Sequence, residues 1–188
     1  TSLRLVNPIS ADLSIMRPSA LPNLLSAAAR NQDRGEAEIA MFEVGPVFLG
    51  DEPDRQRTAV AAIRHGAMAP REWHGSRRSV DVFDAKADAE AALAILGVRR
   101  GSLQIESGGP DYFHPGRCGR LLQGRSLLAQ FGELHPQVAA HFGLRNTLVG
   151  FELFLEDVPL AKSRGPARSY LKMSPFQPVS RDFAFILD

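Results

Sequence analysis

Histidines, a cluster of carboxylates, glycine pairs, one cysteine and a run of arginines are the side chains in this chain whose types could do chemistry. The five histidines stand at 65, 74, 114, 135 and 141. None shows the spacing that sets two imidazoles and a carboxylate on one helical face to ligate a metal. His135 and His141 are six residues apart, on different sides of a helix, so all five read as turn or surface histidines. Asp81, Asp84, Asp88 and Glu90 form the densest acidic cluster. Asp81 and Asp84 have an odd separation and would face opposite sides of a strand, while Asp88 and Glu90, two apart on a helix, share no face. The cluster reads as helix-start charge favoured by the helix dipole, with Asp84 able to cap, and neither as a metal site nor as an acid/base pair.

Gly108-Gly109-Pro110 and the pair Gly116 and Gly119 fit neither the phosphate-cradling loop with its lysine nor the dinucleotide fingerprint, and read as turns. No serine elbow is present, and nothing near Cys118 in sequence would activate its thiol. Arg117, Arg120 and Arg125, with Arg99 and Arg100 upstream, could form a basic edge in contact with RNA; a solvated face is the plainer reading.

Composition limits these options further. In 188 residues there are 22 Lys plus Arg against 21 Asp plus Glu, which argues against a strongly basic nucleic-acid arm or an acidic tail. At 44% hydrophobic and 23% charged residues, the chain is too apolar for disorder. One cysteine excludes a disulfide framework and a multi-cysteine zinc site. No apolar run approaches the ~20 residues that span a bilayer, and the first residues lack a signal-peptide pattern, so a soluble, cytoplasmic protein with no membrane partner is expected.

Three helices are expected to position whatever site exists. Leu21, Leu24, Leu25 and Ala28 fall on one stripe, with Ser19 as a candidate N-cap, Pro22 in the first turn and Gly35 closing the helix. A second helix runs over about 85–96, and a third starts at Pro136 and ends at Gly143. Strands are expected at 39–48, 58–64, 80–83, 103–106, 120–123, 127–131 and 148–155, with Gly45-Pro46 requiring a bulge or an edge position. Gln123-Gly124-Arg125-Ser126 reads as a hairpin turn. Strands that follow one another without intervening helices imply an α+β fold with an antiparallel sheet flanked by helices. A core domain is expected over 1–160 and a polar linker over 161–174. At 175–188 a fresh strand begins with no partner, as in a piece of a larger protein.

Several stretches, read in order, resemble the β-subunit family of bacterial phenylalanyl-tRNA synthetases. They are Leu5-Val6-Asn7-Pro8-Ile9-Ser10, the segment from Met16 to Leu25, Phe42-Glu43-Val44-Gly45-Pro46-Val47-Phe48 and Val80-Asp81-Val82-Phe83-Asp84-Ala85-Lys86. His114-Pro115-Gly116-Arg117, Gly132-Glu133-Leu134-His135-Pro136 and the closing segment from Ser174 to Asp182 complete the series. The resemblance implies a catalytically inactive copy of the class II aminoacyl-tRNA synthetase fold, with 175–188 as the truncated first strand of a ferredoxin-like anticodon-binding domain. Active class II sites use an arginine ending one motif strand and another after a glycine-rich strand to neutralise phosphate. In this alignment Leu49 stands where the first would be, no arginine follows Gly150 in register, and Glu152, Glu156 and Asp157 would repel a triphosphate.

The same resemblance implies no catalytic residue, metal or cofactor in this chain, with ATP and magnesium serving the whole enzyme. It implies an α-subunit partner in a tetramer of two α and two β chains, and tRNA as a further partner. The stripe of the first helix reads first as facing the chain's own sheet; the functional alternative is that part of this helix and the preceding segment meets the α subunit, with Arg17 and Arg34 as polar candidates flanking the contact. Two alternatives from other classes stand beside it: a free-standing ATP-dependent ligase of the same fold, and an RNA-binding module using Arg117, Arg120 and Arg125.

Overall fold

The computed structural model describes residues 3–68, 73, 78–159, 176, 177 and 179–186. Alternation of apolar and polar residues resolves into six strands, β1 Ile39–Phe48, β2 Gln56–His65, β3 Gln104–Ser107, β4 Phe113–Gln123, β5 Ser126–Leu134 and β6 Leu148–Phe154. They form one sheet in the order β1-β2-β6-β5-β4-β3, with every neighbouring pair antiparallel. β1 is an edge strand paired with β2 along its whole length without a bulge, so Pro46 can face outward without breaking a ladder. The β4–β5 turn is tight, and Gly124 has φ +62, the left-handed conformation that the first turn residue of a two-residue hairpin of this kind requires.

Helices cover both sheet faces. On one, α1 Leu21–Asp33 buries Leu21, Leu24, Leu25 and Ala28 against Ile39, Val47, Ala59, Ala61 and Ile63, joined by Ala139 of α3 Pro136–His141. Full burial of each leucine in that stripe contributes about 2 kcal/mol. On the other, α2 Val82–Ile95 buries Ala85, Ala89 and Leu93 over Ala129, Phe131, Val149, Phe151 and Leu153.

Several expectations require correction. Residues 80–83 are not a strand. The Asp81 side chain accepts from the N–H groups of Phe83 and Asp84, and the Asp84 carboxylate accepts from the Asp81 N–H at 2.8 Å, a reciprocal box that starts α2 two residues after Val80. Asp81, not Asp84, is therefore the N-cap, and the two carboxylates expected on opposite sides converge. Each remaining acid of the cluster has its own cation: Asp88 takes a bidentate pair from Arg64, and Glu90 takes Lys86 and Arg100.

β4 is longer than the expected 120–123: it pairs with β5 at Phe113 and again from Cys118 onward, with a register irregularity between, so His114, Gly116 and Gly119 fall within the strand, where two glycines were expected in turns. Gly119 has no room for a side chain, since an added Cβ would lie 2.7 Å from the Phe131 ring. His65 is no surface group: it is buried in β2, with Nδ1 3.1 Å from the Thr147 carbonyl oxygen. His135 caps α3, His114 accepts from the Gly116 N–H, and His141 packs edge-on against Phe142. His74 and the expected linker 161–174 lie outside the described residues. Residues 179–186 are exposed and carry no strand pairing.

Candidate functional site

β6 runs through the middle of the sheet, and all but its last residue are buried. Among its apolar residues stands one acid, Glu152, only 2% exposed. Strand alternation turns Phe151 and Leu153 toward α2 and Glu152 toward the α1 face. Antiparallel register then aligns Glu43, Ala61, Glu152, Gln130, Arg120 and Glu106 in one row crossing all six strands on that face. The Nε of Arg120 is buried in this row without a hydrogen-bond partner among the described residues.

Above the row lies a cleft of about 510 Å³. Leu21 and Leu25 of α1, Leu134, Val138, Phe142 and Phe154 make its apolar walls, and Ser19, Tyr112, Gln130 and Glu152 are its polar groups. Among the described residues, none that lines it is an arginine, lysine or histidine. Oε1 of Glu152 accepts from the Ser19 hydroxyl at 2.9 Å and the Ala20 N–H at 3.0 Å; the Tyr112 hydroxyl donates to Oε2 at 3.3 Å. Burial pushes the Glu152 carboxyl above the usual carboxylate range, and those three donors together with the field of Arg17 offset this only in part. Burial, and then the nearby Glu152 charge, holds the Tyr112 phenol well above its ordinary value. Among the described residues Glu152 has no ion pair.

Residues 1–155 match the family model for the phenylalanyl tRNA synthetase beta chain CLM domain. The chain belongs to the phenylalanyl-tRNA synthetase beta chain family. It is 48% identical over 188 residues to the phenylalanine–tRNA ligase beta subunit of Rhodospirillum rubrum, covering 100% of this chain and 24% of that protein. The same 48% identity relates it to the beta subunit of Paramagnetospirillum magneticum over 187 residues, 99% of this chain and 23% of that protein. The chain thus spans about a quarter of the length of these relatives. The class II synthetase architecture is borne out by a pyrrolysyl-tRNA synthetase of Desulfitobacterium hafniense: TM-score 0.57 and 15% identity over 80% of this chain and 50% of that one.

Within this beta-chain domain, the described lining of the cleft presents a buried acid and no cation. Leu49, aligned above with a phosphate-binding arginine, does line the cleft. Of the three acids expected to repel phosphate, only Glu152 stands there. Past β6 the chain turns into the short helix Leu155–Asp157, where Glu156 accepts from the Thr58 N–H and Asp157 pairs with Arg57, so both fasten the start of β2.

The basic residues singled out from the sequence do not form one surface. Arg17 donates through Nε to the Pro46 carbonyl and pairs with Glu43; an added Cβ on Gly45 would lie 2.6 Å from its guanidinium. Arg34 is exposed at the far end of α1. Arg117 pairs with Glu133 on the α2 face, Arg120 lies in the row on the α1 face, and Arg125 is exposed at the hairpin tip. Sequence reasoning missed Ser19 and Tyr112 as partners of Glu152, and the cleft itself. A usable signal was present: one carboxylate in the otherwise apolar run Leu-Val-Gly-Phe-Glu-Leu-Phe.

Proposed function

We propose that this chain is the non-catalytic, class II-like module of a phenylalanyl-tRNA synthetase beta subunit, packing on the catalytic alpha subunit within a cytoplasmic assembly of two alpha and two beta chains. It supports the ATP-dependent attachment of phenylalanine to tRNA without binding ATP or magnesium itself. The observation that carries this reading is a cleft walled by apolar side chains around Glu152, with no cationic lining residue among those described to grip a nucleotide. Residues 1–160 form the module, 161–174 link it onward, and 175–188 begin the next domain; the exposure of Phe183, Phe185 and Ile186 supports a later segment covering them.

Contact with the alpha subunit is supported by apolar side chains left open at one edge of the sheet. Val6, Ile9, Leu13, Phe42 and Val44 are all more than half exposed, and Phe42 and Val44 lie on β1, whose outer edge pairs with no further strand among the described residues. Arg34 stays in the proposed interface, whereas Arg17 acts from within by fastening the N-terminal segment to β1.

Co-expression of the full-length beta chain with its alpha chain, followed by mass measurement in solution, tests the reading. A stable assembly is expected, weakened at least tenfold by Phe42→Asp, with phenylalanine-dependent pyrophosphate exchange only when alpha is present. Exchange by the beta chain alone would overturn it.

A further inference from the structure

We propose that the cleft between α1, α3 and the sheet binds a small molecule bearing a cationic amine on an aromatic or branched apolar body. Its volume of about 510 Å³ falls within the range of small-ligand sites, and its make-up is theirs: apolar walls with a few converging polar groups. Leu25, Leu134, Val138 and Phe142 would enclose the apolar body.

Charge selects the head group. Glu152 is buried without an ion pair among the described residues, and Arg17, whose field reaches it, is already paired with Glu43. A buried carboxylate lacking a counter-charge is costly, so it takes either a proton or a cation. Its oxygens accept three hydrogen bonds, two at Oε1 and one at Oε2, which leaves Oε2 an acceptor position for an ammonium N–H. The Gln130 amide, beside Glu152 in the cross-strand row, has no hydrogen-bond partner within the described residues and can orient the same head group. An anionic group would meet Glu152 with no lysine, arginine or histidine in the described lining to offset it. This inference needs neither the alpha-subunit contact nor the absence of catalysis.

The test is photo-crosslinking to the full-length beta chain in its assembly, with three aryl-diazirine probes that share one body and end in an ammonium, a neutral amide or a carboxylate. Labelled peptides are mapped by mass spectrometry. The expected result is labelling of the stretches around Leu25 and around Leu134 to Phe142 by the ammonium probe, about tenfold above the carboxylate probe and competed by 2-phenylethylamine. Glu152→Gln should abolish the head-group preference, and Val138→Trp should block labelling by filling the cleft. Retained assembly and a cooperative melting transition well above the labelling temperature for either variant show that its effect is not unfolding. Equal labelling by all three probes, a preference for the carboxylate, or labelling only outside these peptides would overturn the proposal.

Discussion

The Ser19 hydroxyl donates to Oε1 of Glu152 across 133 residues of sequence, at 2.9 Å. The Ala20 N–H joins it on the same oxygen, and the Leu21 N–H donates back to Ser19 Oγ at 3.1 Å. The start of α1 is therefore fastened to the central strand by a buried acid, and the placing of that helix end depends on the charge state of one carboxyl.

That dependence has a sign. The folded Glu152 carboxyl holds its proton to a higher pH than the unfolded one, so its contribution to stability is complete below the ordinary glutamate value and lost as pH rises through the folded value. In urea titrations at a series of pH values, native stability minus that of Glu152→Gln should fall with rising pH above about 4.5, by up to ~1.4 kcal/mol per pH unit. A difference that is flat or rises with pH would contradict the burial argument.

Asp84 has the opposite sign. The hydrogen bond from Arg78 draws its pKa below the usual range, as does the bond from the Asp81 N–H, so its contribution is present above the ordinary aspartate value and lost as pH falls through the folded one. Loss of its part in the capping box in Asp84→Ala should cost about 1 kcal/mol at neutral pH. The gap from native should narrow below pH ~3.8, as read by denaturation followed through helix signal.

Gly150→Ala should be among the most damaging small substitutions. An added Cβ would lie 2.6 Å from the Ala62 carbonyl oxygen, a backbone atom of β2 that cannot move without parting the β2–β6 ladder. A loss of about 3 kcal/mol is expected from the urea midpoint, with faster hydrogen exchange along β2 and β6. An effect below about 0.5 kcal/mol would show that the two strands are not this close.

At Gly124 the obstacle is conformational, because nothing lies within 4 Å of an added Cβ there and only the positive φ resists a side chain. Gly124→Ala should cost about 1 kcal/mol and Gly124→Asn less, since asparagine tolerates the left-handed region better. Equal losses for the two variants would argue against this turn geometry.

Legibility in the sequence followed the range of the forces involved. The α1 stripe, the bounds of β1, the glycine after each helix and the hairpin at Gly124 depend on neighbours a few residues away, and were readable in advance. The start of α2 was misplaced although it is local, because Val80, Val82 and Phe83 look like a strand and the reciprocal bonds of Asp81 and Asp84 override that preference. β4 was cut short for a different reason: its glycines weaken it locally, and only pairing with β5 recovers them.

The order of motifs along the chain was sufficient to indicate the family and the antiparallel sheet. The site was decided by tertiary structure alone. Glu152, Gln130 and Arg120 lie in line because strand register aligns residues 10 to 32 positions apart in sequence, with no local pattern to announce it. Whether Arg17 reaches a partner or its own Glu43, and whether Glu152 meets solvent or a cleft without cations, likewise depends on which surfaces the sheet and α1 bring together. Periodicity places a side chain on a face; only the packed fold determines what that face meets.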